Sequence, residues 1–150
     1  METPRVLLVD DSSVVRKIVE LTLWREHIEV VTATDGLGAL TAVTDTQPNL
    51  MLLDILLPHL DGYQVCHVVR HHQDYSNLPI VFLSSKDSVM DRVRGKLAGA
   101  TDYIGKPFEP AELVWTVKRY LSARTAWEGA AQREQDTPTA MKPKHWWQRK

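Results

Sequence analysis

The chain has 150 residues, enough for one ordinary domain and too few for two comfortable ones. Hydrophobic residues make up 43% and charged residues 25% of the sequence, which argues against a disordered, collagen-like or repeat protein. The formal net charge of -1 hides an uneven distribution, because residues 1–121 sum to -4 and residues 122–150 sum to +3. Neither charge is large enough to identify a partner.

The sequence carries no sign of export or of membrane insertion. Cys66 is the single cysteine, so the chain has no internal disulfide and is compatible with a reducing compartment. The N-terminus lacks the basic-then-apolar pattern of a signal peptide. The longest apolar run, at residues 50–57, is interrupted by Asp54 and is far shorter than the ~18–20 residues that cross a bilayer. We therefore expect a soluble, cytoplasmic protein.

Five strand-like runs alternate with five helix-like segments between residues 6 and 121. Short apolar runs predict strands over residues 6–9, 28–33, 50–53, 80–83 and 103–104. Apolar residues at helical spacing predict helices over residues 14–23, 36–43, 62–70, 90–97 and 110–121. Asp87 is the predicted N-cap of the fourth helix, and Gly99 is placed to end it. The strict alternation predicts an α/β fold, a parallel sheet with helices on both faces.

The apolar periodicity fades after about Ser122. We divide the chain into a domain over residues 1–123 and a flexible, basic, Trp-containing tail over residues 124–150, of which residues 126–135 can prolong the last helix. The tail ends in a pair of tryptophans, Trp146 and Trp147, among cationic residues. Three interpretations stay open for it: a segment without a role, a peptide with Trp anchors that docks on a partner, or a contact with an anionic membrane or nucleic acid.

Acidic residues directly follow the first and third predicted strands. Asp10 and Asp11 end the first strand, and Asp54 ends the third. Ligand sites in open parallel sheets form beyond the carboxyl ends of the strands, so three carboxylates converge there if strands 1 and 3 are neighbours. Like charges at close range repel and require a counter-ion. A hard divalent cation such as Mg²⁺, which prefers carboxylate, water and phosphate oxygens, is the natural choice.

Two further polar residues follow the fourth and fifth strands at the same edge. Ser84 brings a hydroxyl and Lys106 brings an ammonium group. Together with a metal ion, these groups suit a tetrahedral phosphoryl group carried on one of the carboxylates. Each residue alone is an ordinary polar strand end, but their joint placement on four strand ends favours phosphoryl transfer to an aspartate.

Over about residues 4–122 the chain resembles the receiver domains of bacterial two-component response regulators. The motifs that carry the resemblance are LLVDDS at residues 7–12, LDILLP at 53–58, DGY at 61–63, FLSSKD at 82–87 and GATDYIGKPF at 99–108. The resemblance implies a flavodoxin-like, doubly wound sheet of five parallel strands in the order 2-1-3-4-5. Ser84 and Ser85 stand where many members have Thr and Ala; Ser84 keeps the hydroxyl and Ser85 is still small.

The resemblance implies a role for each residue around the phosphoryl group. Asp54 is the phosphoacceptor and attacks a phosphohistidine on a partner kinase. The hydroxyl of Ser84 donates to the phosphoryl group, and Lys106 pairs with the phosphorylated Asp54. Tyr103 is an aromatic switch that turns inward when Ser84 moves. The bond between Lys106 and Pro107 is expected to be cis.

The resemblance also implies how Mg²⁺ is held. Asp11, Asp54 and the backbone carbonyl of Leu56 bind the ion directly, and Asp10 binds it through water. Leu56 also argues against a phosphatase of the haloacid dehalogenase class, which needs a second Asp two residues after the nucleophile.

The implied function is that of a phosphorylation switch and not of an enzyme with its own substrate. Residues 60–66 and 83–87 resemble the stand-alone regulators of chemotaxis-like systems that control type IV pili, twitching motility or phototaxis. The expected partners are a histidine kinase of the chemotaxis type and an effector that docks on the fourth helix, fifth strand and last helix. No DNA binding is expected, and the partner of the tail is not identified. The alternative is a phosphate carrier or sink that drains a kinase without an effector of its own.

Overall fold

The computed structural model describes residues 3–85 and 89–131, in which five strands alternate with five helices. The strands are β1 (Arg5–Val9), β2 (Glu29–Ala33), β3 (Leu50–Leu53), β4 (Ile80–Ser84) and β5 (Asp102–Gly105). The helices are α1 (Ser13–Trp24), α2 (Gly36–Thr46), α3 (Gly62–Arg70), α4 (Val89–Ala98) and α5 (Pro110–Ala131). Each element lies where the sequence predicted it, with ends that differ by a few residues except at α5.

The strands form one parallel sheet in the predicted order, β2-β1-β3-β4-β5. Val9 pairs with Ala33 of β2 and with Leu53 of β3, so these three strands end level with one another. Phe82 of β4 pairs with Leu53 on one side and with Tyr103 of β5 on the other. The carboxyl ends of the five strands therefore meet at one edge of the sheet.

Both faces of the sheet are covered, which explains why β1, β3 and β4 are continuously apolar. Side chains alternate between the two faces along each strand. One buried cluster holds Leu7, Met51 and Phe82 together with side chains of α2 and α3. The other holds Leu8 and Leu52 together with side chains of α1 and α5. The apolar core thus fixes the strand ends from both sides.

Three helices begin on side chains that cap them close to the same edge. The Ser12 hydroxyl accepts from the backbone N–H of α1, and Asp35 does the same for α2. Asp61 and Gln64 form a reciprocal capping box at the start of α3. Each cap satisfies backbone donors that have no partner inside the helix and so fixes the residue at which the helix begins. The predicted cap of α4, Asp87, lies outside the described residues.

The helix α5 is the longest element and continues beyond the expected end of the domain. It begins at Pro110, which has no N–H to leave unsatisfied, and runs for 22 residues to Ala131. The sequence allowed such a prolongation over residues 126–135. The rest of the tail, including Trp146 and Trp147, lies outside the described residues. Among the helices that are described, none combines the length and apolar composition needed to cross a membrane.

Candidate functional site

Three carboxylates converge at the edge of the sheet where β1 and β3 end. Asp10, Asp11 and Asp54 each offer a carboxylate oxygen, and these oxygens lie within 4.8 Å of one another. The level pairing of Val9 with Leu53 places them there, since the aspartates follow these two residues directly. Asp10 is fully buried and Asp54 is 6% exposed, whereas Asp11 faces solvent. A set of oxygen donors with three negative charges fits a hard divalent cation such as Mg²⁺.

The turn after β1 is held by hydrogen bonds on both sides of Asp10. One carboxylate oxygen of Asp10 accepts from the backbone N–H of Ser12 at 2.9 Å. The guanidinium of Arg16 donates to the backbone carbonyl of Asp10 at 2.8 Å. Sequence reasoning did not identify Arg16, although a basic residue one turn into the helix that follows two aspartates is the signal that points to it. Arg16 therefore fixes the backbone from which Asp10 and Asp11 project.

Lys106 is the counter-charge at the centre of the cluster. Its ammonium lies 2.6 Å from one carboxylate oxygen of Asp10 and 3.3 Å from one of Asp54. Its backbone N–H donates to the carbonyl of Ser84 at 2.8 Å, which ties the residue to the end of β4. The bond between Lys106 and Pro107 is cis, as expected. Charge-assisted hydrogen bonds of this kind are short and strong when they are shielded from water.

The environment of Asp54 disfavours its ionised form. Burial raises the pKa of this carboxyl above 3.8, and the negative charge of Asp10 raises it further. The ammonium of Lys106 and the backbone N–H of Leu56 act in the opposite direction without cancelling the effect of burial. Asp54 is therefore a partly dehydrated carboxylate that gains from any additional positive charge brought to the site.

The remaining sequence-predicted residues lie around this cluster in different settings. Ser84 is fully buried as the last residue of β4. The side chain of Leu56 is 53% exposed, two residues after Asp54. Tyr103 is half-buried on β5, with its ring 6.0 Å from that of Phe82. The structure thus brings Asp10, Asp11, Asp54 and Lys106 into one cluster and places Tyr103 under α4.

Comparisons with known proteins agree with this arrangement. Residues 6–118 match the family described as response regulator receiver domain. Protein PilG of Pseudomonas aeruginosa is 36% identical over 121 residues, which make up 81% of this chain and 90% of PilG. The structure of the chemotaxis response regulator CheY4 of Vibrio cholerae is 34% identical with a TM-score of 0.75, and the match covers 79% of this chain and 99% of that one.

Two more relatives differ in the share of their own length that this chain matches. A putative response regulator from Chloroflexus aurantiacus is 39% identical with a TM-score of 0.78, over 81% of this chain and 99% of that structure. The DNA-binding response regulator MtrA of Mycobacterium leprae is 42% identical over 117 residues, which are 78% of this chain and 51% of MtrA. This chain therefore spans about half the length of that DNA-binding relative.

The raised pKa of Asp54 predicts a pH-dependent stability effect in protein that is free of divalent cations. Below pH 3.8 Asp54 is protonated in both the folded and the unfolded chain, so it has no effect on stability. As the pH rises, the unfolded chain releases this proton first and the folded state is penalised. Asp54→Asn removes the penalty, so urea unfolding with EDTA should show a more stable variant at pH 7 and no gain below pH 3.8. The capping variant Asp35→Asn is the control; an Asp54→Asn gain that is equal at all pH values contradicts this prediction.

Proposed function

Because the chain belongs to the response regulator receiver domain family, we propose that it is a phosphorylation switch that receives a phosphoryl group on Asp54 from a histidine kinase. The observation that carries this proposal is the position of Lys106, whose ammonium contacts both Asp10 and Asp54 in a cluster of three carboxylates. A buried carboxylate with a cation at its side suits a nucleophile whose product carries more negative charge.

In the proposed reaction, a carboxylate oxygen of Asp54 attacks the phosphorus of a phosphohistidine on the partner kinase. The new O–P bond forms as the P–N bond breaks, and the imidazole leaves with the electron pair of that bond. The ammonium of Lys106 offsets the charge on the phosphoryl oxygens, and the Ser84 hydroxyl donates to one of them. Asp10, Asp11 and Asp54 would hold Mg²⁺ with the carbonyl of Leu56, and the bound ion supplies further charge neutralisation.

The acyl phosphate formed on Asp54 is the signal, so we propose a switch and not an enzyme that turns over its own substrate. Phosphorylation adds about -1.5 to -2 charges next to carboxylates that already repel one another. In the proposed response Ser84 moves toward the phosphoryl group, and Tyr103 turns into the space that Ser84 leaves. Such a local charge event biases a two-state element and changes a distant surface.

The proposed surface is the face made by α4, β5 and α5, on which an effector protein docks. Its α4 part exposes four large apolar side chains, Val89, Met90, Val93 and Leu97. An exposed group of this kind on a small domain is typical of an interaction site. The resemblance of residues 60–66 and 83–87 to regulators of type IV pilus motility, and the match to a chemotaxis regulator, support a chemotaxis-like pathway with a kinase of the chemotaxis type.

We place this activity in the cytoplasm. Cys66 is fully buried in α3, and burial raises the pKa of its thiol to about 11. A protonated thiol that solvent cannot reach is unreactive toward disulfide formation, and a free cysteine of this kind is compatible with a reducing compartment.

Asp54→Asn should abolish phosphorylation, because the amide is not a nucleophile toward the phosphoryl group. The measurement is the incorporation of labelled phosphoryl group from acetyl phosphate with Mg²⁺, or from a cognate kinase. Asp35→Asn is the matched control, since it makes the same chemical change at the cap of α2, a residue that is not part of the carboxylate cluster, and should be labelled like the wild type. Persistent labelling of Asp54→Asn would refute the assignment.

Leu56→Asn should shorten the lifetime of the phosphorylated protein several-fold. An apolar side chain beside Asp54 cannot orient an attacking water, whereas an amide can. The decay of labelled protein after removal of the phosphodonor measures the rate. Leu21→Asn is the control, because Leu21 is a leucine of similar exposure on α1, at 52% against 53%. Equal decay rates in Leu56→Asn and wild type would contradict the prediction.

The alternative of a phosphate carrier or sink makes a different prediction about partners. A docking switch should retain an effector on immobilised phosphorylated protein and release it from Asp54→Asn. A carrier should pass its phosphoryl group rapidly to a second histidine protein and retain no partner that depends on phosphorylation. The comparison of captured proteins between phosphorylated wild type and Asp54→Asn, together with the rate of back-transfer, decides between the two.

A further inference from the structure

The helix α4 lies across a row of three aromatic rings. Tyr63 at the start of α3, Phe82 in β4 and Tyr103 in β5 supply one ring each. The rings of Tyr63 and Phe82 meet edge-on with centroids 5.4 Å apart, and those of Phe82 and Tyr103 are tilted at 6.0 Å. The row therefore runs from the helix that follows Asp54 to the strand that carries the proposed switch residue.

The helix contacts this row at three points. Gly95 is buried over the middle ring, where a Cβ atom would lie only 3.2 Å from an edge carbon of Phe82. The guanidinium of Arg94 lies over the ring of Tyr63, 4.4 Å from its centroid. The guanidinium of Arg92 lies over the ring of Tyr103, 5.4 Å from its centroid. At 100° per residue, these two arginines project on opposite sides of Gly95, so α4 straddles the row.

The two sides of this arrangement are not equivalent. Tyr63 is 7% exposed, and its hydroxyl donates to the backbone carbonyl of Asp91 in α4 at 3.4 Å. It also follows Gly62, whose backbone N–H donates to Ile55 at 2.9 Å and whose missing side chain lets the chain pass against the carbonyl of Asp54. Tyr103 on the other side is half-buried, with its hydroxyl shielded from solvent and its ring partly accessible. The Tyr63 side is thus anchored to the strand end that carries Asp54.

We propose that the contact between Arg94 and Tyr63 is a fixed pivot on which α4 turns when Tyr103 leaves Arg92. The inference rests on the proposed function, because the movement of Tyr103 follows the phosphorylation of Asp54. Tyr63 is then a positioning residue: it keeps one side of α4 attached to the domain while the other side is released. Gly95 supports this role, since a helix without a side chain over Phe82 can roll across that ring. The exposed apolar face of α4 changes its direction as a result.

The first test follows the two arginine side chains by NMR in the full chain, before and after phosphorylation with acetyl phosphate and Mg²⁺. Aromatic rings shift the Nε–Hε signals of arginines that lie over them, and Arg92→Gln and Arg94→Gln assign the two signals. We expect phosphorylation to remove the ring-induced shift of Arg92 and to leave that of Arg94. Loss of the Arg94 shift, or persistence of the Arg92 shift, overturns the pivot.

The second test measures hydrogen exchange of the α4 amides in Tyr63→Leu, which removes the ring, and in Arg94→Gln. Arg94→Gln should speed exchange about two- to fivefold in the phosphorylated protein, the factor for loss of one cation–π contact at a partly exposed site. Tyr63→Leu should speed it at least as much, because it also removes the ring contact with Phe82 and the hydrogen bond to Asp91. The effect should be much smaller without phosphorylation, because Arg92 and Tyr103 still hold the helix. A merely structural Tyr63 would speed exchange equally in both states, and that result overturns the proposal.

Two controls complete the second test. Tyr63→Phe keeps the ring under Arg94 and loses only the hydroxyl that donates to Asp91, so its exchange should stay closer to the wild type than to Tyr63→Leu. Arg119→Gln removes contacts of the same kind with Trp115 and Tyr120 on α5 and should leave the exchange of α4 unchanged.

Intact-mass measurement on each sample distinguishes failure of the pivot from failure of the function. Wild type that gains no phosphoryl group on Asp54 would overturn the proposed function and the pivot with it. If the samples are phosphorylated and either test gives the contrary result, the pivot alone is overturned.

Discussion

The ammonium of Lys106 offsets the repulsion among the three carboxylates at this edge of the sheet. Parallel pairing of β1 with β3 places Asp10, Asp11 and Asp54 together, and the surrounding core prevents the first and last of these from reaching solvent. Buried like charges are strongly unfavourable without a partner. A single ammonium that contacts both buried carboxylates relieves this repulsion but leaves the three acids and one base with a net formal charge of -2. The site is therefore stable enough to fold and still requires additional positive charge.

The rest of the fold is arranged to hold that cluster in place. The apolar strands are buried on both faces, and this burial fixes the position at which each strand ends and the chain leaves the sheet. The hydrogen bond from Arg16 holds the turn after β1, and the hydrogen bond from the backbone N–H of Gly62 to the carbonyl of Ile55 holds the turn after β3. The backbone of Lys106 is hydrogen-bonded to the end of β4. The backbone at Asp10, Asp54 and Lys106 is thus fixed by hydrogen bonds and close packing, and the side chain of Lys106 joins the two buried carboxylates.

The parts of this architecture that follow from local pattern could be predicted from the sequence. The alternation of strands and helices gave the sheet, and the position of Asp10, Asp11 and Asp54 after apolar runs gave the carboxylate cluster. The contacts of Arg94 with Tyr63 could not be predicted, because they depend on where α4 crosses α3 in space. The extent of α5 was equally indistinct, since the described part of the helix continues past the core that imposes its apolar period. The local chemistry is therefore predictable from the residues and the strand order from the family resemblance, whereas the helix-to-helix geometry is predictable from neither.

The same charge balance explains how a change of charge at Asp54 can affect the position of α4. Lys106 contacts two carboxylates, and a phosphoryl group on Asp54 would compete with Asp10 for the same ammonium. Any shift of Lys106 acts on the end of β4, because its backbone is hydrogen-bonded to Ser84. Phe82 lies two residues before Ser84 in that strand and supports Gly95 of α4. Since α4 rests on the ring of Phe82 through Gly95, with Arg92 and Arg94 on either side, a movement at the end of β4 would act directly on the helix that carries the exposed apolar side chains.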